Sequence, residues 1–400
     1  MTILVACWVL VPARAFETPK PGHRFVFPRD DGAHPAFRIE WWYITGHLFE
    51  PAPTAAKSPP AGRRFGFEAT FFRFAAPHRV PEPNPDFSVN EIELTHMAVT
   101  DVAAGRFYHE ARLNRAGWDA HAATGTLDVV NGEWSLRLVP SPSAGNDGSA
   151  GNPADSAFPH RPGSPRFVLH GGIQARAAFN LVWTPAKPLV VFGKNGVSRK
   201  GADPSEASYY LSYSRLVGGG RLTLGTRSYE VRGEAWMDHE ISSSQLGKGQ
   251  VGWDWTCVQF GDGAQRVPGI QGESAAAPWE LMLYRIRRAD GSADPYSRLQ
   301  WVDPAGKPID EPFDWKVLSW WKSPHTGARY PSRVRLTTRD PRTGRQIVLE
   351  IDPLLQDQEL PNEVGGGAYW EGDCRVRDAS GHDVGNAYLE LTGYAKPLRF

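Results

Sequence analysis

Apolar and polar residues alternate in short runs along most of the chain, at 64–74, 93–100, 126–130, 134–139 and 166–170. Period-two stretches of this kind, rich in β-branched and aromatic residues and closed off by Gly, Pro, Asn or Asp, predict antiparallel strands and hairpins. No long stretch repeats at 3.6 residues with caps at both ends, and strands do not alternate with helices as in a nucleotide-binding sheet. The fold class read from the pattern is all-β. Segments 51–62, 140–165 and 261–278 are rich in Gly, Pro, Ala and Ser and read as loop insertions in hairpins. Asn195-Gly196 reads as a two-residue hairpin turn.

A chain of 400 residues exceeds one ordinary core, so two domains are expected. The boundary is placed where Gly218-Gly219-Gly220, taken as a turn, and the strand after it lead into the Trp236 segment. This gives an N-terminal domain at 16–232 and a C-terminal domain at 233–400. Residues 1–15 form an apolar run ending in Ala13-Arg14-Ala15, the pattern of a cleaved leader, although a basic start is missing. A periplasmic or secreted location follows. Leu4-Val5-Ala6-Cys7 also fits a lipoprotein box, but the run stays apolar past Cys7, which favours the plain leader. Nothing later approaches the roughly 20 apolar residues of a membrane-spanning helix. Without Cys7, Cys257 and Cys374 remain, and two separate buried thiols are expected over a disulfide.

Lys plus Arg and Asp plus Glu both number 44, which leaves no net field for nucleic acid or an anionic membrane surface. The 15 Trp, 19 Phe and 12 Tyr point instead to aromatic pocket walls and a small hydrophobic ligand. Histidines are scattered without a compact ligand spacing, and neither a CxxC nor a Gly-x-Ser-x-Gly elbow occurs, so no metal, cofactor or nucleophilic serine is expected. The strongest chemical segment is Trp236-Met237-Asp238-His239-Glu240. On a strand, Trp236, Asp238 and Glu240 share one face, and Met237 and His239 the other. The same rule puts Trp253 and Trp255 together on the next strand. An acid held in such an aromatic pocket stays protonated towards neutral pH and can donate that proton. The plainer reading is that Asp238 and Glu240 are paired with arginines or backbone amides. In His34 to Leu48, Glu40, Trp42 and Ile44 would face one way and Trp41, Tyr43 and Thr45 the other. Either this aromatic strand closes a barrel or Glu40 faces a ligand.

Ordered motifs span the chain from about residue 25 to its end. They are Glu40-Trp41-Trp42-Tyr43 through Leu48, Thr95 through Asp101, Lys187-Pro188-Leu189 with Lys194-Asn195-Gly196, and Ala207-Ser208-Tyr209-Tyr210. Further on come Trp236 through Glu240, Gly252-Trp253-Asp254-Trp255, Tyr330-Pro331 and Tyr369-Trp370-Glu371-Gly372. Together they resemble the carotenoid 1,2-hydratase and AttH-like family of predicted secreted hydrolases. The resemblance implies two lipocalin-like antiparallel β-barrels packed together, with a cavity for elongated apolar molecules. It also implies that the acid of the Asp-His motif, here Asp238, is catalytic. Two departures count against carotenoid specificity: Trp236 stands where the hydratases have tyrosine, and Tyr209-Tyr210-Leu211 where they have a His-x-Trp pair. The expectation is a cofactor-free, acid-assisted addition of water in a barrel cavity. Asp238, Glu240 and Tyr210 would be catalytic, and Trp236, Trp253, Trp255, His239, Glu40 and Trp42 would contact substrate. A non-catalytic carrier of a hydrophobic ligand and a secreted ester or amide hydrolase are the alternatives.

Overall fold

The computed structural model describes residues 16–51, 62–76, 89–140, 165–261, 278–361 and 367–398. The leader assigned to 1–15 lies outside these residues, as do most of the three loop insertions. Among the described residues the one helical element is the 3₁₀ turn Arg29–Asp31. All else regular is strand, as the alternating pattern predicts.

The first sheet contains β1 (Ile39–Phe49), β2 (Arg64–Ala75), β3 (Glu91–Asp101), β4 (Arg106–Arg115), β5 (Ala120–Ala122) and β6 (Asp128–Asn131). It continues through β7 (Trp134–Val139), β8 (Arg166–Ile173), β9 (Ala177–Pro185), β10 (Val190–Phe192), β11 (Ser198–Arg199), β12 (Ala207–Leu224) and β13 (Arg227–Ser244). The second sheet contains β14 (Gln250–Phe260), β15 (Glu280–Arg288), β16 (Arg298–Val302), β17 (Pro308–Asp310) and β18 (Phe313–Lys322). It ends with β19 (Arg329–Arg339), β20 (Gln346–Pro353), β21 (Glu359–Leu360), β22 (Tyr369–Asp378) and β23 (Asp383–Leu391). The first runs β4-β3-β2-β1-β13-β12-β9-β8-β7-β6-β5, and β3 and β4 come round against β8, so it nearly closes into a barrel. The second runs β17-β16-β15-β14-β23-β22-β20-β19-β18 and is a half-barrel.

The chain leaves the first sheet between Ser244 and Gln250, downstream of the expected boundary at 232/233. β13 is hydrogen-bonded to β1 on one side and β12 on the other, which makes it a central strand of the first sheet. Gly218-Gly219-Gly220 is not a turn. It lies inside β12, where a Cβ at Gly218 or Gly220 would stand 2.0 Å from a carbonyl oxygen of β9. These glycines let the two strands approach closely. The Asn195-Gly196 turn is as expected: both residues have positive φ, 54° and 81°, and Lys194 and Val197 bridge across it.

Three apolar clusters stack through the molecule. Trp42, Ile44, Phe67, Trp183 and Met237 fill the first barrel, and Leu283, Trp301, Tyr330 and Leu389 fill the half-barrel. Between them lies a third layer of Tyr43, Tyr210, Trp236, Trp255, Cys257, Tyr284 and Tyr388. β1 and β13 are thus apolar on both faces, one towards the barrel core and one towards the other sheet. Buried hydrogen bonds and ion pairs lock the layers together. Asp373 of β22 meets His47 of β1 at 2.7 Å and Arg64 of β2 at 2.9 Å, and Arg215 of β12 meets Glu280 of β15 at 2.8 Å. Cys257 and Cys374 are separate buried thiols.

Candidate active site between the sheets

Cross-strand register places Ser212, Asp238, Tyr43, Thr70 and His96 side by side across β12, β13, β1, β2 and β3. On the facing sheet Tyr284, Trp255, Glu390 and Glu371 form a matching row across β15, β14, β23 and β22. The two rows enclose a cleft with a cavity volume of about 120 Å³. Trp41, Phe72, Phe74, Leu246, Trp253 and Trp255 supply apolar walls. The sequence expectation of a cavity inside a barrel is therefore corrected: both barrel interiors are filled, and the cleft lies between the sheets.

Asp238 is 3% exposed and accepts three hydrogen bonds. Trp236 Nε1–H, at 2.5 Å, and the Ser212 hydroxyl both donate to Oδ1. Tyr210 donates to Oδ2 at 2.7 Å and itself accepts from Trp255 Nε1–H at 2.8 Å. Every donor is neutral. Burial pushes Asp238 up to about 7 against these hydrogen bonds, and the neighbouring Glu240 carboxylate adds to the rise. Oδ1 meets two donors and Oδ2 one, which leaves Oδ2 the oxygen with more room for the proton of the neutral acid. Glu240 has a different setting: the Lys200 ammonium is 3.2 Å away and Ser208 donates to it. Lys200 also lies over the rings of Tyr210 and Tyr284, 4.6 and 4.0 Å from their centroids.

Of the residues singled out in the sequence, Asp238, Glu240, Tyr210, Trp236, Trp253 and Trp255 are brought together on this cleft or directly behind it. Glu40, Trp42 and His239 are not. They occupy the opposite faces of β1 and β13, where His239 stacks on Trp42 at 4.8 Å between ring centroids. Strand alternation requires this separation, since neighbours in sequence point to opposite faces. Glu40 is fully buried, accepts from the His34 backbone N–H, and pairs with His34 Nδ1 and His239 Nε2, each at 2.8 Å. Burial opposes its ionisation, but hydrogen bonds from His239 and His34 and their charges outweigh it and hold Glu40 at about 2. Among the described residues, His34, Glu40 and His239 form the one group whose ligand atoms lie close enough to hold a metal. Both Glu40 oxygens are already engaged, and the buried Arg73 guanidinium 3.6 Å from Glu40 opposes a further cation.

Residues that sequence reasoning passed over are Lys200, Trp41, Tyr43, His96, Tyr369, Glu371 and Glu390, all on the cleft. Tyr369 and Glu371 belong to a quoted motif, and Trp41 and Tyr43 sit on the face of β1 opposite Glu40. Lys200 has no signal in the sequence.

Two packed antiparallel sheets, one nearly closed and one a half-barrel, with an acid-bearing aromatic cleft between them define the class of protein: all-β, with a candidate site at the junction of its sheets. The chain belongs to the AttH-like family, whose model matches residues 18–394. A protein of Nitrosomonas europaea assigned as an AttH shares 30% identity with it over 95% of this chain and all of that one, with a TM-score of 0.73. Kievitone hydratase from Nectria haematococca shares the fold at 12% identity, covering 96% of this chain and 98% of that chain, with a TM-score of 0.60. No curated protein matches in sequence.

Proposed function

We propose that the protein is a hydratase that adds water across a carbon–carbon double bond of an apolar, isoprenoid or lipid-like substrate lodged between the sheets. One observation carries this reading: Asp238, buried among neutral donors, keeps a proton close to neutral pH at the wall of an aromatic cleft. A general acid works best when its pKa lies near the working pH. Asp238 Oδ2–H protonates one alkene carbon, and the carboxylate left behind is met by Ser212, Trp236 and Tyr210. The cation on the other carbon faces the rings of Trp253 and Trp255. Water oriented by Glu240 adds to that carbon, and its spare proton returns to Asp238. The cycle consumes only substrate and water.

Family membership and the fold shared with kievitone hydratase support the reaction class by analogy. The apolar run at 1–15 supports export, so protein taken from the periplasm of its host should begin near Phe16. Among the described residues no helix is long and apolar enough to cross a membrane. The test incubates the purified protein with isoprenoid alkenes in isotopically heavy water and follows product mass. A gain of one labelled water, lost in Asp238→Asn, is expected. Two smaller products would mean a hydrolase, and tight binding without turnover would mean a carrier; either result overturns the hydratase reading.

A further inference from the structure

Across the cleft from Asp238, the facing sheet carries a second group of acids that the proposed reaction does not use. Glu371 and Glu390 are direct cross-strand partners on β22 and β23, both line the cleft, and Glu68 of β2 is buried beside them. Tyr43 O–H donates to Glu371 Oε1 at 2.6 Å, and Trp253 Nε1–H donates to Glu390 Oε2 at 3.0 Å. The second oxygen of Glu371 has no partner although the residue is fully buried, and the same holds for Glu68 Oε2 and His96 Nε2. Buried polar atoms are nearly always satisfied, so the unpaired atoms of Glu371 and His96 on the cleft wall, with Glu68 buried outside the lining, point to something that fills it.

The charged groups that act on these three residues are acids alone. Glu390 acts on Glu68, Glu390 and Glu68 act on Glu371, and Asp238 and Glu240 act on Glu390. Arg64, the guanidinium that reaches β22, is held by Asp373, and Lys200 is held by Glu240. Burial and mutual repulsion push Glu68 and Glu390 up to about 8 and Glu371 well above its ordinary value. Protonated carboxyl groups offer a donor and an acceptor without net charge. His96 is neutral too, since burial brings it down to about 4, and its Nδ1 already pairs with the Tyr369 hydroxyl at 2.8 Å.

We propose that Glu371 and Glu390, backed by Glu68 and His96, grip one uncharged oxygen, a hydroxyl or a carbonyl, at the end of an otherwise apolar ligand. The ligand is then amphipathic, with its double bond at Asp238 and its polar tip at Glu371. A carboxylate tip would bring a charge into a buried wall on which no cation acts. An ammonium tip would have to strip protons from buried groups. This inference rests on the reading of the cleft as the substrate site and narrows it.

Four farnesyl probes test it, titrated into the purified full chain at pH 7 and read by tryptophan quenching: farnesol, farnesene, farnesoate and farnesylamine. Farnesol should bind about tenfold tighter than farnesene, the effect of one or two hydrogen bonds, and tighter than either charged probe. Glu371→Gln keeps a donor and an acceptor and should hold farnesol affinity within about threefold, while Glu371→Leu should erase the preference over farnesene. Tighter binding of farnesylamine or farnesoate, or loss of farnesol binding in Glu371→Gln, would overturn the neutral grip. Equal binding of all four would also overturn it but leave the cleft standing. Failure of all four would overturn the cleft reading itself. If the Leu variant does not fold, the probe series and Glu371→Gln still decide.

Discussion

Glu40 and Asp238 lie on adjacent strands of one sheet, both buried, yet burial has opposite outcomes for them. Glu40 points to the inner face, where it meets two histidines and an arginine and is held at about 2. Asp238 points to the outer face, meets only neutral donors, and rises to about 7. Desolvation acts against the charged form in both, so the hydrogen bonds and charge of the partners decide which carboxyl keeps its proton. The inner acid is an ionic clamp, and the outer acid is the one able to serve as the proposed proton source.

The largest effect expected from this contrast is on stability. Glu40→Gln leaves buried cations without their counter-charge and should cost about 3 kcal/mol or more, whereas Asp238→Asn should change melting little. Thermal melts of the two variants side by side check this, and a Glu40→Gln protein as stable as its parent would remove the clamp. Next comes activity. Asp238→Asn keeps size and hydrogen bonding but loses the proton, so hydration should fall about a hundredfold or more. A large loss of stability with undiminished activity per folded molecule would reverse the two roles.

pH dependence sharpens the comparison further. The acid must be protonated to act, so turnover should decline as pH rises through about 7. Glu68 and Glu390 bind protons in the folded state up to about 8 but only to the ordinary carboxylate range when unfolded. Their contribution to stability is therefore whole below about 4.5 and is lost progressively towards pH 8. Glu68→Gln should flatten that fall and melt higher than the parent at pH 8, and an unchanged slope would show that Glu68 ionises freely. The smallest effect is at Trp236. Phe keeps an aromatic body but loses the N–H to Asp238, so Trp236→Phe should weaken turnover only severalfold; a loss equal to that of Asp238→Asn would make the indole a principal partner.

Alternation along β13 was legible in the sequence and puts Trp236, Asp238 and Glu240 together, just as it pairs Trp253 with Trp255. Which face served the ligand was not legible. β1 and β13 are apolar on both sides, and period two separates Glu40, Trp42 and His239 from Asp238 without saying which set looks into a cleft. The far wall was hidden for a different reason. Glu371 and Glu390 come from a second sheet more than a hundred residues downstream; only the packing of the sheets sets Glu371 against Tyr43, while Glu390 meets Trp253 within the second sheet. The Gly218 to Gly220 run looks like a turn in sequence, but its cause is the close approach of β9 within the first sheet.

The central claim is that Asp238 holds a proton near neutral pH, and a carboxyl-carbon NMR titration measures it directly. The signal is assigned by its loss in Asp238→Asn, with Glu40 followed in the same spectra as the internal contrast. The account expects an Asp238 midpoint near 7 while Glu40 stays ionised down to about 2. An Asp238 midpoint in the ordinary carboxylate range, about 4, would mean that the residue is ionised at working pH, and the proton donor would have to be sought elsewhere.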